Sequence, residues 1–361
     1  VRVRPPTLSG NQGDAIQFSL SRRVVFDHVS VSWGSDETVD LYEADSVTVQ
    51  WSIVGPSATN AGHPDGAFHN YGLINGPDGG PASIHHVLFA HHNHRTPAIA
   101  NGPSEVVNNV VYNATTGFVH HNPYNDLGIN QEGNWYRTGP DKTNINPFYW
   151  DDEDESEGGY HVAGNMVDDP GDLVGVLDDP WTSSYRALNR TWIDGKRRSV
   201  SRYPTPGPIP TDAATAYAEV MARSGCLPRD TVDRQIVSEV ANRSGSWGRR
   251  VPANLWSGLE TAPRRIDTDR DGLPDDWESS NGLDPSTPDG HSDADADGWT
   301  NLEEWLHEQA SIKIAGEVPA FVAVARRSDP RAGVRARWNP SRLCVEIWDG
   351  RSWWALDGRL Q

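Results

Sequence analysis

Four segments within the first 112 residues align without gaps: Val25–Val31 (VFDHVSV), Thr48–Val54 (TVQWSIV), Ser83–Phe89 (SIHHVLF) and Val106–Tyr112 (VVNNVVY). Their second positions, Phe26, Val49, Ile84 and Val107, are spaced by 23, 35 and 23 residues, so the repeat is 23 and one turn carries 12 more. A β-rich unit this short cannot bury an apolar face alone. It must stack on copies of itself, which predicts the coils of a parallel β-helix. One alternating face of each strand then points inward, and the Asn or His at each bend meets its counterpart one coil away. Antiparallel sandwich strands remain the alternative at this level, because a sandwich also alternates short strands with turns.

The 34 Gly, 26 Pro and 15 Trp in 361 residues favour a turn-rich all-β chain over a helical bundle. The solenoid is expected over residues 1–203, with a weaker pattern after Ala114 and a solvated acidic run from Asp151 to Glu157. The chain opens inside a strand pattern, so the solenoid reads as N-terminally truncated and any signal peptide lies outside the sequence. Residues 204–245 form a Pro-rich connector and two short helices that pack on the main domain. The first helix begins at the cap Asp212, and the second carries Val232, Ile236 and Val240 at helical spacing. Residues 246–266 read as a linker, 267–308 as an acidic module, and 309–361 as an unassigned tail. Within that tail, Leu343–Trp354 has the pattern of a hairpin about Asp349-Gly350.

Thirty-one basic residues against 50 acidic ones, a net charge of -19, argue against a nucleic-acid partner, since phosphates need Lys and Arg to neutralise them. No apolar run approaches the roughly 18 residues of a membrane span. Only two cysteines are present, Cys226 and Cys344, so disulfides do not organise the chain. An acidic protein can still hold a polyanion if metal ions bridge the two.

The acidic module has the spacing of such a metal binder. Asp267, Asp269, Asp271, Asp275 and Glu278 occupy positions 1, 3, 5, 9 and 12 of an EF-hand loop, with Gly272 at 6 and the Leu273 carbonyl at 7. The pattern returns 26 residues later in Asp293, Asp295, Asp297, Trp299, Asn301 and Glu304, with Gly298 at position 6. Ca²⁺ takes six to eight oxygens, and one tight loop of this spacing supplies them. The pair is similar to dockerin and thrombospondin type 3 loops. Its expected role is to rigidify or tether, because it offers no acid, base or nucleophile outside the ligand set.

A second set of motifs runs in order through the solenoid: Gly13-Asp14-Ala15-Ile16, Val25 to Trp33, Asp36-Glu37-Thr38-Val39-Asp40, Val47-Thr48-Val49, Arg95-Thr96-Pro97 and Val107-Asn108-Asn109. Together they resemble the pectate lyase family of polysaccharide lyases over residues 1–115, and more loosely to about 245. The resemblance implies a right-handed parallel β-helix, a secreted monomeric enzyme, and Ca²⁺-assisted β-elimination of galacturonan or a related acidic polysaccharide. It makes Asp14, Asp36 and Asp40 the calcium ligands and puts Arg95 at the base position. That role is chemically odd for a guanidinium, which stays protonated to about pH 12 or beyond.

The sequence departs from the family pattern where Ala98 and Ala100 follow Arg95 in place of further arginines, and where Tyr71 stands for an expected lysine. His69, Tyr71 and His94 are the candidates to contact substrate in their stead. A His-rich transition-metal site in His85-His86 or His91-His92 is disfavoured, because neighbours on a strand point to opposite faces. Two other functions stay open from sequence: a non-catalytic carbohydrate-binding β-helix, and a glycoside hydrolase using the Asp36 and Asp40 pair.

Overall fold

The computed structural model describes residues 1–5, 12–76, 79–120, 128–150, 159–169, 173–177, 199–247, 253–255, 257–258, 264–317, 335–339, 344–348 and 353–355. The chain divides into two compact units, Val1–Ser257 and Gly258–Gln361. The acidic run 151–157 lies outside the described residues.

In the first unit the chain winds repeatedly through three sheets. The first sheet stacks Arg2–Val3, Ser30–Val31, Ile53–Val54, Leu88–Ala90, Val110–Tyr112, Trp135–Arg137 and Asn165–Asp169. The second stacks Ile16–Gln17, Glu37–Asp40, Tyr71–Asn75, Ala98–Ile99, Thr116–His120 and Asn146–Trp150. The third stacks Arg22–Asp27, Asp45–Gln50, Ala82–His85, Ser104–Val107, Ile129–Glu132 and Tyr160–Ala163. All of these neighbours pair in parallel, and Asn165–Asp169 then pairs antiparallel with Leu173–Leu177. The fold is a parallel β-helix.

The register corrects one part of the repeat. Phe26 pairs with Val49 and Val49 with Ile84, as the spacing predicts, but Ile84 pairs with Val106 and not with Val107. The Asn108-Asn109 pair therefore matches His86-Val87. A one-residue slip exchanges the two faces of a strand, so the core decides: Val106 must take the inward place held by Ile84 in the coil before.

The bend after the third sheet explains the polar residues at the fixed place. His28, Trp51, His86, Asn108, Gly133 and Gly164 all adopt left-handed backbone with φ of 51, 47, 54, 55, 61 and 64°. That conformation disfavours most side chains. Hydrogen bonds stacked along the solenoid offset it. The next residues include the buried Asn109, Asn134 and Asn165, where each amide Nδ2 donates to the next Oδ1, at 3.0 Å and 2.9 Å. The bend also overturns the expectation for His85-His86: His86 has left the strand, and the two Nδ1 atoms lie 3.0 Å apart.

Phe118, Phe148 and Tyr160 stack fully buried inside the solenoid. Outside it, helices α1 (Ala213–Arg223) and α2 (Thr231–Asn242) are capped by Asp212 and Asp230. Their Val220, Val232, Ile236 and Val240 pack on Trp33, Ile53, Leu88, Val110 and Tyr112 of the first sheet and its bends.

The second unit contains the two acidic loops, each followed by a helix, α3 (Asp275–Asn281) and α4 (Asn301–Glu317). A three-stranded antiparallel sheet joins Arg335–Asn339, Cys344–Trp348 and Trp353–Ala355, the last two being the strands of the expected hairpin. Among the described residues no helix is long and apolar enough to cross a membrane.

Candidate functional site

Acidic residues gather where strands of the second sheet begin. Register places Glu37 beside Tyr71, and a bridge continues from Tyr71 to His94 in the next coil. On the other side the Glu37 amide donates to Asp14 Oδ1 at 2.9 Å. Carboxylate oxygens of Asp14, Asp36 and Glu37 consequently lie within 4.8 Å of one another. Of the three expected ligands, the tight cluster includes Asp14 and Asp36, and Glu37 supplies the third carboxylate. Asp40 stands at the far end of its strand, where Oδ2 accepts from Gln17 Nε2 at 3.2 Å and the buried Oδ1 has no partner.

So much negative charge in one place perturbs its members. Burial, helped by the Asp40 charge, raises Asp14 from an ordinary 3.8 to about 7. Burial also lifts Glu37 to about 8, against the opposing pull of Arg95. Asp40 is raised chiefly by burial. Three convergent carboxylates with a fourth, Asp40, adding its charge are the donor chemistry of a hard cation.

Arg95 faces this cluster from the next coil but one. Its guanidinium forms an ion pair with Glu37, and Cζ lies 4.8 Å from the Tyr71 ring centroid. Its backbone is left-handed, with φ of 59°, a strained conformation of the kind that concentrates at functional sites. The 12 extra residues of the long turn complete the surroundings. They carry His63 and His69, whose rings stack at 3.6 Å, and His69 Nε2 meets Asp36 Oδ1 at 2.7 Å. Tyr71 lies between His69, at 3.9 Å between ring centroids, and His94, at 5.5 Å. The expected site residues Asp14, Asp36, His69, Tyr71, His94 and Arg95 thus share one region. Sequence reasoning missed Glu37 and His63. Glu37 was visible only as a neighbour of Asp36, and His63 only as a residue of the insertion.

No protein-family model matches the chain. A probable pectate lyase C of Aspergillus flavus is 30% identical over 320 residues, covering 85% of this chain and 70% of the relative. The chain belongs to the pectate lyase family. A probable pectate lyase C of Aspergillus oryzae matches with the same identity and coverage. A solved thermostable pectate lyase, PL 47, overlaps 60% of this chain and 54% of its own at 13% identity and a TM-score of 0.39.

Within this family member the departures at Ala98 and Ala100 have a structural setting. Both are fully buried. Register runs from Asp40 through Ile74, Ala98 and Val119 to Tyr149, an apolar column separate from the main core. Among the described residues, the positive charge paired with the cluster is that of Arg95, with aromatic and imidazole rings around it.

The loops of the second unit share one geometry. Positions 4 and 6 are left-handed in both, at Arg270 and Gly272 (φ 68 and 101°) and at Ala296 and Gly298 (61 and 99°). In both, the residue at 7 donates its amide to the carboxylate at 5, Leu273 to Asp271 and Trp299 to Asp297, each at 2.9 Å. Asp267, Asp269 and Asp271 converge within 4.8 Å, as do Asp293, Asp295 and Asp297. Asp275 turns to Thr268, accepting from its amide at 2.7 Å and its hydroxyl at 2.6 Å. Asn301 accepts from the Ala294 amide, and Glu304 lies in the first turn of α4. Asp289, which the spacing does not predict, joins Asp271 and Glu278 in a further cluster. Glu278 is fully buried and both its carboxylate oxygens lack partners, as does Asp269 Oδ2. That donor set fits Ca²⁺.

The Asp14 carboxyl gives a signed pH prediction. Its folded-state value lies above the ordinary 3.8, so its stabilising contribution is full below that value and is lost as pH rises through about 7. Metal-free protein should melt lower at pH 8 than at pH 5. Ca²⁺ binding should release protons near pH 7, read by calorimetry in buffers of different ionisation enthalpy. In Asp14→Asn the proton release should shrink; an unchanged release removes Asp14 from the site.

Proposed function

We propose that the chain is a secreted, monomeric lyase that cleaves galacturonan or a related uronate polysaccharide by calcium-assisted β-elimination. The observation that carries this reading is the Asp14, Asp36 and Glu37 cluster with the Arg95 guanidinium paired to Glu37. Asp14, Asp36 and Glu37 would hold the ion, with Asp40 adding charge at its side. An ion held there would supply charge neutralisation of the substrate carboxylate, making the adjacent C5 proton more acidic.

Arg95 is the catalytic residue. Its guanidinium, facing the carboxylate cluster, stabilises negative charge developing at C5 while hydroxide takes the proton. The C5–H electron pair becomes the C4=C5 double bond, and the C4–O4 pair leaves with the departing sugar. Tyr71, His69 and His94 line the same region and would contact the sugar rings by stacking and hydrogen bonds. The paired loops of the second unit would bind Ca²⁺ in a structural role, since they offer no group for chemistry beyond their ligands.

Incubation with polygalacturonate plus Ca²⁺ or chelator tests the activity. Ultraviolet-absorbing unsaturated ends should form only with Ca²⁺, and the rate should climb with pH. Reducing ends without absorbance would mean hydrolysis, and binding with neither would leave a carbohydrate-binding solenoid.

A further inference from the structure

We propose that Asp36, His63 and His69 form a second metal site, for a divalent transition ion of the Zn²⁺ class. It shares Asp36 with the oxygen cluster and His69 with the residues placed against the sugar, differs from the cluster in donor chemistry, and its test does not depend on the lyase reading.

The three side chains offer two imidazole nitrogens and a carboxylate oxygen within 4.8 Å of one another. Zinc bonds of about 2.0–2.1 Å in a tetrahedron put ligand atoms about 3.3 Å apart, so the His69–Asp36 pair must open by about half an ångström while the His63–Asp36 pair already stands near that spacing. His69 Nε2 lies 2.7 Å from Asp36 Oδ1, and His63 Nε2 lies 3.5 Å from Asp36 Oδ2. His63 is the decisive residue. Its side chain is 2% exposed, and its Nε2 points at the carboxylate without a hydrogen-bond partner. The ring planes differ by only 11°, so the stack presents both Nε2 edges to the same carboxylate. Imidazole pairs suit Zn²⁺, Cu²⁺ or Ni²⁺, whereas Ca²⁺ prefers oxygen alone.

The outer nitrogens have a matching partner. Asp65 places a carboxylate oxygen 3.9 Å from His63 Nδ1 and 3.7 Å from His69 Nδ1. Its own amide also donates to His63 Nδ1 at 3.1 Å, which leaves the proton of the metal-free ring on Nε2. Metal binding through Nε2 moves that proton to Nδ1, so the Asp65 amide must turn away from the ring. Its carboxylate, 3.9 Å away and beyond hydrogen-bond distance here, must close in to become the outer partner usual for a metal-bound histidine. Three protein donors leave a fourth position open to water or a substrate oxygen.

Titrating the intact chain with Co²⁺, without added calcium, tests the assignment. Tetrahedral nitrogen-containing Co²⁺ absorbs far more strongly in the visible than Co²⁺ in octahedral oxygen sites, so the acidic loops do not obscure it. One strongly absorbing equivalent should form, be displaced by Zn²⁺, and disappear in His63→Ala/His69→Ala. Asp65→Asn should weaken affinity by about 10–100-fold. Circular dichroism checks folding, and the single His63→Gln variant, expected to lose the bands while folded, provides a milder lesion. Only weak octahedral bands, or strong bands that survive in the double variant, would overturn the proposal.

Discussion

Arg95→Ala should lower kcat on polygalacturonate by about 10²–10⁴-fold at saturating Ca²⁺, the range expected when a group acting on transition-state charge or on proton transfer is removed. Arg95 bridges a buried carboxylate and an aromatic face, so its loss also leaves Glu37 without its cationic partner. Breaking a buried pair from one side destabilises by about 3–5 kcal/mol, and a drop in turnover could then reflect partial unfolding. Thermal melts separate the two: Arg95→Ala/Glu37→Gln should regain the stability that Arg95→Ala loses. Because Glu37 also faces the ion, turnover is compared only in Arg95→Ala, at a temperature where it is folded. Arg95→Lys keeps the charge but not the planar fork, and should fall between wild type and Ala. Turnover of Arg95→Ala within about twofold of wild type, in folded protein, would remove Arg95 from the chemistry.

Calcium removal should loosen the second unit with a pH dependence opposite to that of the calcium-bound form. Burial and the charges of Asp269, Asp271 and Asp289 raise Glu278 to about 7. Without metal, its contribution is therefore full at low pH and is lost as pH rises through about 7. With Ca²⁺ the carboxylate is the required form, so protection should increase over the same range. A ligand at a hundredfold excess over its Kd stabilises by about 2.7 kcal/mol, roughly a hundredfold in hydrogen-exchange protection. Exchange of the α3 amides in the intact chain reads this directly. Glu278→Gln should be better protected than wild type in chelator at pH 8, and should lose most of the calcium response. Equal protection with and without Ca²⁺ in wild type would rule out a structural ion at this loop.

The features legible in the sequence are those set by local spacing. The acidic loops are the clearest case: Gly272 and Gly298 sit where the backbone turns left-handed, and the aspartates at 1, 3 and 5 converge because one tight loop carries them. The coil repeat was legible for a similar reason, since each strand must match the one stacked on it. The fourth segment slipped by one because the Asn108-Asn109 pair resembles His85-His86 in polarity, while only core packing distinguishes the inward residue.

The calcium reading divides along the same line. Sequence by itself placed acidic residues at Asp14, Asp36 and Asp40 on a repeating β-rich unit and two acidic loops of EF-hand spacing beyond it. Tertiary structure alone decided which oxygens meet. It brought Glu37 to Asp14 through the register between coils, kept the Asp40 charge close enough to raise Asp14, and placed the inserted His63 and His69 against Asp36. A loop fixes its ligands through neighbours a few residues apart, whereas the solenoid site joins residues 22 to 58 apart in sequence. Their meeting depends on strand pairing and on the path of one inserted turn, and neither is set by local propensity.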